Sequence, residues 1–163
     1  MTKPVWLLDV DGVVNALEPG WSGPPRRGYA SSGGHEYRIR WAPALVARIR
    51  ALHESGVVDI CWCSTWCVDA DQIENLLGLP PLQRAWTVDV NGLAASLAKL
   101  EAARAVLASG RRLVWTDDLE VPTSGQVYEE LTAGGRALLI TPVSRRGLQP
   151  EHLDLIEAFL HAE

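Results

Sequence analysis

The sequence predicts an α/β fold in which helices cover both faces of a central parallel β-sheet. The first observation is the apolar run at residues 5–8, which is typical of a strand buried on both faces. The second is that further short apolar runs, at residues 57–63, 113–116 and 137–141, alternate with segments of helical spacing. Strands that alternate with helices indicate βαβ units and parallel pairing.

The first strand is followed by a polar segment at residues 15–41 that is rich in Gly, Pro and Ser. It is long for a connection in a compact domain, and such connections are commonly functional. Residues 29–30 and 36–41 could pair as a small hairpin around the Ser-Ser-Gly-Gly sequence between them. Pro43 then begins a helix that we expect to end before Gly56, a typical helix stop.

The remaining elements follow from the same signals. Pro80 and Pro81 end a helix that follows the strand at residues 57–63. Gly110 ends a longer helix before the strand at residues 113–116. The spacing of that longer helix could be interrupted near Lys99. We therefore predict helices at residues 68–77, 93–107, 125–131 and from Pro150 onward, and one more short strand at residues 85–90.

The composition is that of a single folded domain spanning residues 1–163. Hydrophobic residues make up 47% and charged residues 21% of the 163 positions, which is enough for a buried core. The net charge of -5 argues against a surface that coats nucleic acid without specificity, although it leaves room for a local basic site.

Neither a membrane span nor a secretory signal is predicted, because no apolar stretch is long enough and the N-terminus lacks the regions of a signal peptide. The three cysteines, Cys61, Cys63 and Cys67, lack the fourth ligand of a structural zinc site. We expect them to be reduced, buried thiols. The sequence thus favours a cytoplasmic protein without a membrane partner.

Candidate catalytic or metal-binding side chains follow the predicted strands at residues 5–8, 57–63 and 113–116. One more candidate lies on the helix before the strand at 113–116. Since the carboxyl ends of parallel strands lie at one edge of a sheet, we expect these side chains to converge. Lys3 and Lys99 are the two lysines of the chain, and the other basic side chains apart from histidine are arginines. Lys99 therefore suggests a need for a compact ammonium in place of a planar guanidinium. The converging residues are Asp9 and Asp11 after the strand at 5–8, Ser64 or Thr65 after the strand at 57–63, Lys99, and Asp117 and Asp118 after the strand at 113–116.

Each of these residues also has an ordinary structural explanation. Asp9 and Asp11 could belong to a solvated turn at Gly12. The later acidic pair could cap the next segment, and an isolated lysine is usually an exposed helix residue. However, neighbouring carboxylates repel each other and attract a hard divalent cation, usually Mg²⁺ when the substrate carries phosphate. The combined pattern therefore favours a metal-dependent site.

With these motifs the chain resembles the haloacid dehalogenase superfamily, in its phosphatase branch. The first family motif is an apolar strand, then DxDG and two apolar residues, and it matches residues 9–14. A Ser or Thr after a strand, a Lys, and an acidic pair after a strand follow in the family's order. The resemblance implies a three-layer Rossmann-like fold. The sequences Trp-Cys-Ser-Thr-Trp and Trp-Thr-Asp-Asp also resemble a capless branch that includes the phosphatase-like domain of multi-enzyme RNA repair proteins.

The resemblance implies a phosphohydrolase and a role for each matched residue. Asp9 would attack the phosphorus and form an aspartyl-phosphate. Asp11 would protonate the leaving oxygen and then deprotonate the attacking water. Ser64, with Thr65 as the alternative, would donate a hydrogen bond to a phosphoryl oxygen, and Lys99 would offset the negative charge.

Mg²⁺ is the cofactor that the resemblance implies. Its ligands would be Asp9, the backbone carbonyl of Asp11, and either Asp117 or Asp118, with waters completing an octahedron. The presence of Asp11 favours phosphoryl transfer over dehalogenation.

Residues 15–41 occupy the position where this family inserts a flap or a cap, and they are too few for a large cap domain. Their local excess of arginine could draw in an anionic substrate, and Trp66 could stack on a base or sugar. A solvated loop and a packing role explain the same residues equally well. The resemblance thus allows a phosphorylated small molecule or a nucleic-acid end as substrate. The substrate-contacting candidates are Gly12, Arg38, Arg40, Thr65 and Trp66.

Three other interpretations remain open. The first is a phosphotransferase that passes the group to an acceptor other than water. The second is a receiver-type signalling domain, although in that class the adjacent acidic pair follows the first strand and the phosphorylated Asp a later one. The third is a binding module without catalytic activity.

Overall fold

The computed structural model describes residues 2–162 and confirms the α/β fold with helices on both faces of a parallel sheet. The central sheet has the strand order β5-β4-β1-β6-β7, and all four neighbouring pairs are parallel. A separate antiparallel hairpin is formed by β2 and β3. The strands are β1 (Val5–Leu8), β2 (Arg26–Ser32), β3 (His35–Trp41), β4 (Asp59–Trp62), β5 (Gln83–Arg84), β6 (Leu113–Thr116) and β7 (Ala137–Ile140).

The helices form two layers because successive side chains of each strand point to opposite faces of the sheet. Trp6 and Leu8 pack into one buried cluster, and Val5 and Leu7 into the other. The helices α1 (Pro43–Ser55), α2 (Ala70–Leu77) and α5 (Pro150–His161) cover the first face, and α3 (Gly92–Ala108) and α4 (Gly125–Thr132) cover the second.

The order of the central strands creates a crevice beside β1. Numbered along the chain within this sheet alone, the strands are arranged 3-2-1-4-5, so the connections leave β1 and β6 in opposite directions. In open α/β sheets, ligands bind outside the carboxyl ends of the strands at such a point of reversal. The residues that follow β1 and β6 therefore lie at the preferred ligand position of this architecture.

The hairpin of β2 and β3 occupies the polar segment in which the sequence predicts one. Gly33 and Gly34 form its two-residue turn with φ values of 57° and 80°, as a type I′ turn requires. The hairpin is docked on the domain because the Ser32 hydroxyl donates to Oδ2 of Asp69 over 2.7 Å. A 3₁₀ helix at Cys67–Asp69 carries that aspartate and leads into α2.

Most of the predicted elements are present, with two differences. Residues 85–90 do not form a strand: β5 is Gln83–Arg84 and is held by the buried carboxylate of Glu74, which accepts hydrogen bonds from Leu82 and Arg84. The chain then leaves the sheet: the Ala85 N–H still donates to the Trp62 carbonyl over 2.9 Å, but β4 ends at Trp62 and the ladder goes no further. The helix α3 runs through Lys99 without a break.

No helix within residues 2–162 is long and apolar enough to cross a bilayer.

Candidate metal and phosphate site

Three carboxylates from two neighbouring strands meet at the carboxyl edge of the sheet. Asp9 follows β1 directly, and Asp117 and Asp118 follow β6, which pairs with β1. One carboxylate oxygen from each residue lies within 4.8 Å of the other two. The pairing register, Leu8 opposite Thr116, places Asp9 and Asp117 side by side. The convergence is therefore a consequence of the pairing of two buried strands.

Lys99 supplies a positive charge to this cluster from α3. Its Nζ donates to Oδ2 of Asp117 over 2.6 Å and to Oδ2 of Asp9 over 3.3 Å. The side chain is buried, and burial opposes its charge, but Asp9 and Asp117 raise the pKa of Lys99 above its ordinary value. The ammonium therefore stays charged and joins the ends of β1 and β6.

The carboxyl of Asp9 lies in a surplus of negative charge. Burial, and then repulsion by Asp117, raises the pKa of Asp9 well above its ordinary value, and the attraction of Lys99 offsets only part of this. Burial also raises the pKa of Asp118. One ammonium thus faces three carboxylates, so a further cation would stabilise the ionised cluster. Carboxylate oxygens are the ligands that Mg²⁺ prefers, and the donor set fits that ion.

The two adjacent aspartates after β6 differ in what their oxygens already bind. Asp117 is fully buried, and its Oδ1 accepts hydrogen bonds from the backbone N–H groups of Leu119 and Glu120, both over 2.9 Å. Its Oδ2 binds Lys99. Asp118 is half-buried, and its Oδ2 accepts a hydrogen bond of 2.6 Å from the Ser144 hydroxyl. Asp118 is consequently the more available of the two for a cation.

Gly12 lets the Asp118 carboxylate approach the backbone closely. A Cβ atom at Gly12 would overlap Oδ2 of Asp118, so any other residue there would displace the carboxylate from its present position. The φ angle of 75° at Gly12 is also in the left-handed region that favours glycine. The glycine of the DxDG sequence is therefore required both by the turn and by the packing of the carboxylate cluster.

Asp11 is exposed and is oriented by two N–H donors. The Asn15 amide donates to its Oδ1 over 2.9 Å, and the Trp66 indole Nε1 donates to its Oδ2 over 3.0 Å. The Asn15 side chain is itself fixed, because its Oδ1 accepts from the backbone N–H of Arg40 over 2.9 Å. Trp66 is only 4% exposed, so its main contact at the site is the N–H group rather than an open ring face for stacking.

An open cavity of about 450 Å³ lies against this cluster. It brings together most of the residues that the sequence predicts for the site, and two of the predicted residues are not in its wall. Ser64 is buried, and its hydroxyl accepts a hydrogen bond from the backbone N–H of Trp66 over 3.1 Å. Trp66 is linked to the wall of this cavity by its hydrogen bond to Asp11. The predicted residues in the wall are Asp9, Asp11, Gly12, Arg38, Arg40, Thr65, Lys99, Asp117 and Asp118.

Some residues of the site lie outside the sequence prediction, among them Ser144, Glu120 and Tyr37. Ser144 and Glu120 line the same cavity, and Ser144 orients Asp118. Tyr37 packs edge-on against Trp66 with ring centroids 5.6 Å apart. Ser144 lies in the loop after β7, at the same edge of the sheet, and that position was an available signal. No sequence signal distinguishes Tyr37 from the other exposed residues of the hairpin.

The three cysteines lie near the site but are expected to be unreactive. All are buried and unpaired. Burial raises the pKa of Cys61 to about 12 and raises the pKa of Cys63 and Cys67 as well. Thiols in such surroundings stay protonated and are poor nucleophiles.

Comparison of the chain with protein-family models, with curated proteins and with solved structures finds no match. The resemblance to the haloacid dehalogenase superfamily therefore stays a hypothesis that depends on the motifs.

Proposed function

We propose that the chain is a Mg²⁺-dependent phosphomonoester hydrolase in which Asp9 is the nucleophile. The observation that carries this proposal is the grouping of the Asp9, Asp117 and Asp118 carboxylates beside an open cavity, with Lys99 bound to the first two. A buried carboxylate is a useful nucleophile toward phosphate only if its repulsion by the substrate is offset. The surplus of negative charge around Asp9 supports a cation at this position.

Asp9, Asp118 and the backbone carbonyl of Asp11 would hold the metal. Asp117 is less suited because it is fully buried and already accepts three hydrogen bonds, whereas Asp9 accepts one from a backbone N–H and a longer one from Lys99. When bound, Mg²⁺ would reduce the repulsion between the Asp9 carboxylate and the phosphate oxygens. Lys99 would add a second positive charge, fixed by its contacts with Asp9 and Asp117.

The side chains support a two-step transfer. In the first step, a carboxylate oxygen of Asp9 bonds to phosphorus while the bond to the ester oxygen breaks, and Asp11 gives that oxygen a proton. In the second step, Asp11 takes a proton from water as the water oxygen attacks phosphorus, and the bond from phosphorus to Asp9 breaks to release phosphate. Thr65 is the better placed hydroxyl donor to a phosphoryl oxygen, since it lines the cavity and Ser64 does not.

The arrangement of strands favours this proposal over a receiver-type signalling domain. Receiver domains have the order 2-1-3-4-5, with the third strand beside the first. Here the fourth strand of the central sheet, β6, lies beside β1 and brings the late acidic pair to Asp9. The geometry thus supports a nucleophile on the first strand. The same motifs and strand order support membership of the haloacid dehalogenase superfamily, with a small flap in place of a cap.

The deciding experiment measures hydrolysis of an aryl phosphate with and without Mg²⁺, in the wild type and in Asp9→Asn. We expect turnover that EDTA removes and that Asp9→Asn abolishes. Thermal unfolding provides a second readout, because Mg²⁺ should raise the Tm of the wild type but not of the variant. Asp71→Asn, an exposed acidic residue on α2, is the matched control.

Two results would contradict the proposal. Wild-type turnover in Asp9→Asn would remove the nucleophile from the mechanism. No metal-dependent turnover over a panel of phosphorylated metabolites, nucleotides, RNA ends and phosphopeptides would instead favour a binding module without catalytic activity.

A further inference from the structure

A second cavity adjoins the proposed phosphate site. Its volume is about 500 Å³, and it shares Asp11 and Thr65 with the first cavity, whereas Asp9 and Lys99 line the first cavity alone. The tip of the hairpin, the 3₁₀ helix and the segment before α3 form its walls. Asp11, which would protonate the leaving oxygen, thus lies where the two cavities meet.

One wall of the second cavity is aromatic. Tyr37 is 47% exposed and stands edge-on against Trp66, and His35 lies beside Tyr37 with ring centroids 6.4 Å apart. All three residues line the cavity. The faces of aromatic rings attract cations as well as apolar groups, and they repel anions.

The rest of the wall carries negative charge that is held in place. Oδ2 of Asp69 accepts the Ser32 hydroxyl over 2.7 Å, and Oδ1 of Asp89 accepts the Asn91 amide over 3.0 Å. Together with Asp11, these carboxylates face a cavity whose wall, among the described residues, includes no lysine or arginine. Arg38 and Arg40 of the hairpin line the first cavity instead. Within residues 2–162, the lysine and arginine side chains at the two cavities therefore line only the first, and the carboxylates of the second cavity have no such partner in its wall.

We propose that the second cavity holds the leaving group of the phosphomonoester and selects an alcohol that carries an amine. This inference rests on the proposed function, because Asp11 at the junction of the cavities fixes where the leaving oxygen would lie. An ammonium group would find the carboxylates of Asp69 and Asp89 and the ring of Tyr37. A leaving group with a carboxylate or a second phosphate would be repelled by the same residues, which disfavours nucleic-acid ends that place their next phosphate here.

A matched series of aryl phosphates tests this selection. The three esters share one phenyl ring and differ only in a para substituent: aminomethyl, hydroxymethyl or carboxymethyl. We expect kcat/KM to fall in that order at low ionic strength, by about tenfold from the ammonium to the carboxylate ester. Equal kcat/KM values for the three esters would overturn the assignment.

Two substitutions locate the selection in the wall of the cavity. Asp89→Asn and Asp69→Asn should each reduce the ratio of kcat/KM between the ammonium and carboxylate esters. Asp71→Asn changes the net charge equally but lies outside the wall, and it should keep the wild-type ratio. Because Asp69 also holds Ser32, unfolding curves of each variant should accompany the kinetics, and Asp89→Asn is the decisive variant if Asp69→Asn is unstable. A ratio in Asp89→Asn equal to that in Asp71→Asn would contradict the proposal.

Binding of the three phenol products separates this inference from the proposed function. Isothermal titration calorimetry on the wild type should give a lower Kd for the aminomethyl phenol than for the carboxymethyl phenol, with the difference reduced in Asp89→Asn. If no ester is hydrolysed but this preference is present, the proposed function fails and the cation-selective cavity remains. If esters are hydrolysed but neither rates nor binding depend on the substituent, the leaving-group assignment alone fails.

Discussion

The indole Nε1 of Trp66 donates a hydrogen bond to Oδ2 of Asp11 over 3.0 Å, and this contact joins the loop after β4 to the loop after β1. Tyr37 of the hairpin packs against the same indole. The position of the proposed general acid is thereby coupled to the second strand of the central sheet and to the hairpin. Trp66 thus contributes to the site through its indole N–H group, which orients Asp11.

Substitution Trp66→Phe tests whether this hydrogen bond places Asp11 for proton transfer. General acid catalysis matters most for poor leaving groups, so we expect kcat for an alkyl phosphate to fall by about tenfold or more. Hydrolysis of 4-nitrophenyl phosphate, whose leaving group needs little protonation, should change by less than about threefold. Trp21→Phe, which removes an indole hydrogen bond to Leu148 outside both cavities, is the control and should not alter the ratio. Equal losses on both substrates would show that Trp66 acts only by packing.

Substitution Gly12→Ala should damage the site more than the fold. A Cβ atom there would displace the Asp118 carboxylate, so we expect loss of turnover and loss of the Mg²⁺-induced rise in Tm. The matched control is Gly56→Ala at the end of α1, where φ is 71° and nothing lies within 4 Å of the added carbon. Both variants carry the cost of a left-handed alanine, roughly 1–2 kcal/mol. A Gly12→Ala protein that still responds to Mg²⁺ would show that Asp118 is not a ligand.

Asp9→Asn should stabilise the protein when no metal is present. Since the pKa of Asp9 is raised above its ordinary value of 3.8, the folded state binds this proton more tightly than the unfolded state. Stability without metal should therefore fall as the pH rises from 3.8 through the raised pKa, and Asp9→Asn should lack this component. In EDTA at pH 7, we expect the free energy of unfolding of the variant to be higher by about 0.5–2 kcal/mol. Urea unfolding across this pH range measures both effects.

The neighbouring Asp117 provides a contrasting control for that measurement. Its carboxylate accepts two backbone N–H groups and the Lys99 ammonium, so Asp117→Asn removes an acceptor from a satisfied buried network. We expect this substitution to lower the free energy of unfolding, by about 1–3 kcal/mol. If both substitutions destabilise the metal-free protein equally, the surplus of negative charge at Asp9 has been overestimated.

The sequence predicted the backbone positions of the cluster better than the directions of its side chains. Asp9 and Asp117 were predictable because each directly follows a buried apolar strand, and parallel pairing leaves such residues side by side. Trp66 and Ser144 follow strands and so lie at the same edge of the sheet, but their contacts with Asp11 and Asp118 were not predictable, because the course of each loop depends on tertiary packing. The strand expected at residues 85–90 is absent for a similar reason: β-branched and aromatic residues favour a strand only where a partner strand continues beside them.

His152 gives a pH-dependent prediction outside the site. It stands at the start of α5, where its Nδ1 accepts the backbone N–H of Gln149 over 2.9 Å in a capping box. Burial lowers the pKa of His152 below its ordinary value of 6.5, and protonation would remove the acceptor and place a positive charge at a helix N-terminus.

The unfolded state therefore binds this proton more tightly, so the stability contributed by neutral His152 is complete above pH 6.5 and is lost as the pH falls below it. His152→Gln keeps an acceptor in the capping box and should remove this part of the pH dependence, as urea unfolding at pH 5 and pH 7.5 would show. His161→Gln, at the exposed end of the same helix, should retain the wild-type dependence. Parallel losses of stability in the wild type and in His152→Gln would show that another group controls the acid response.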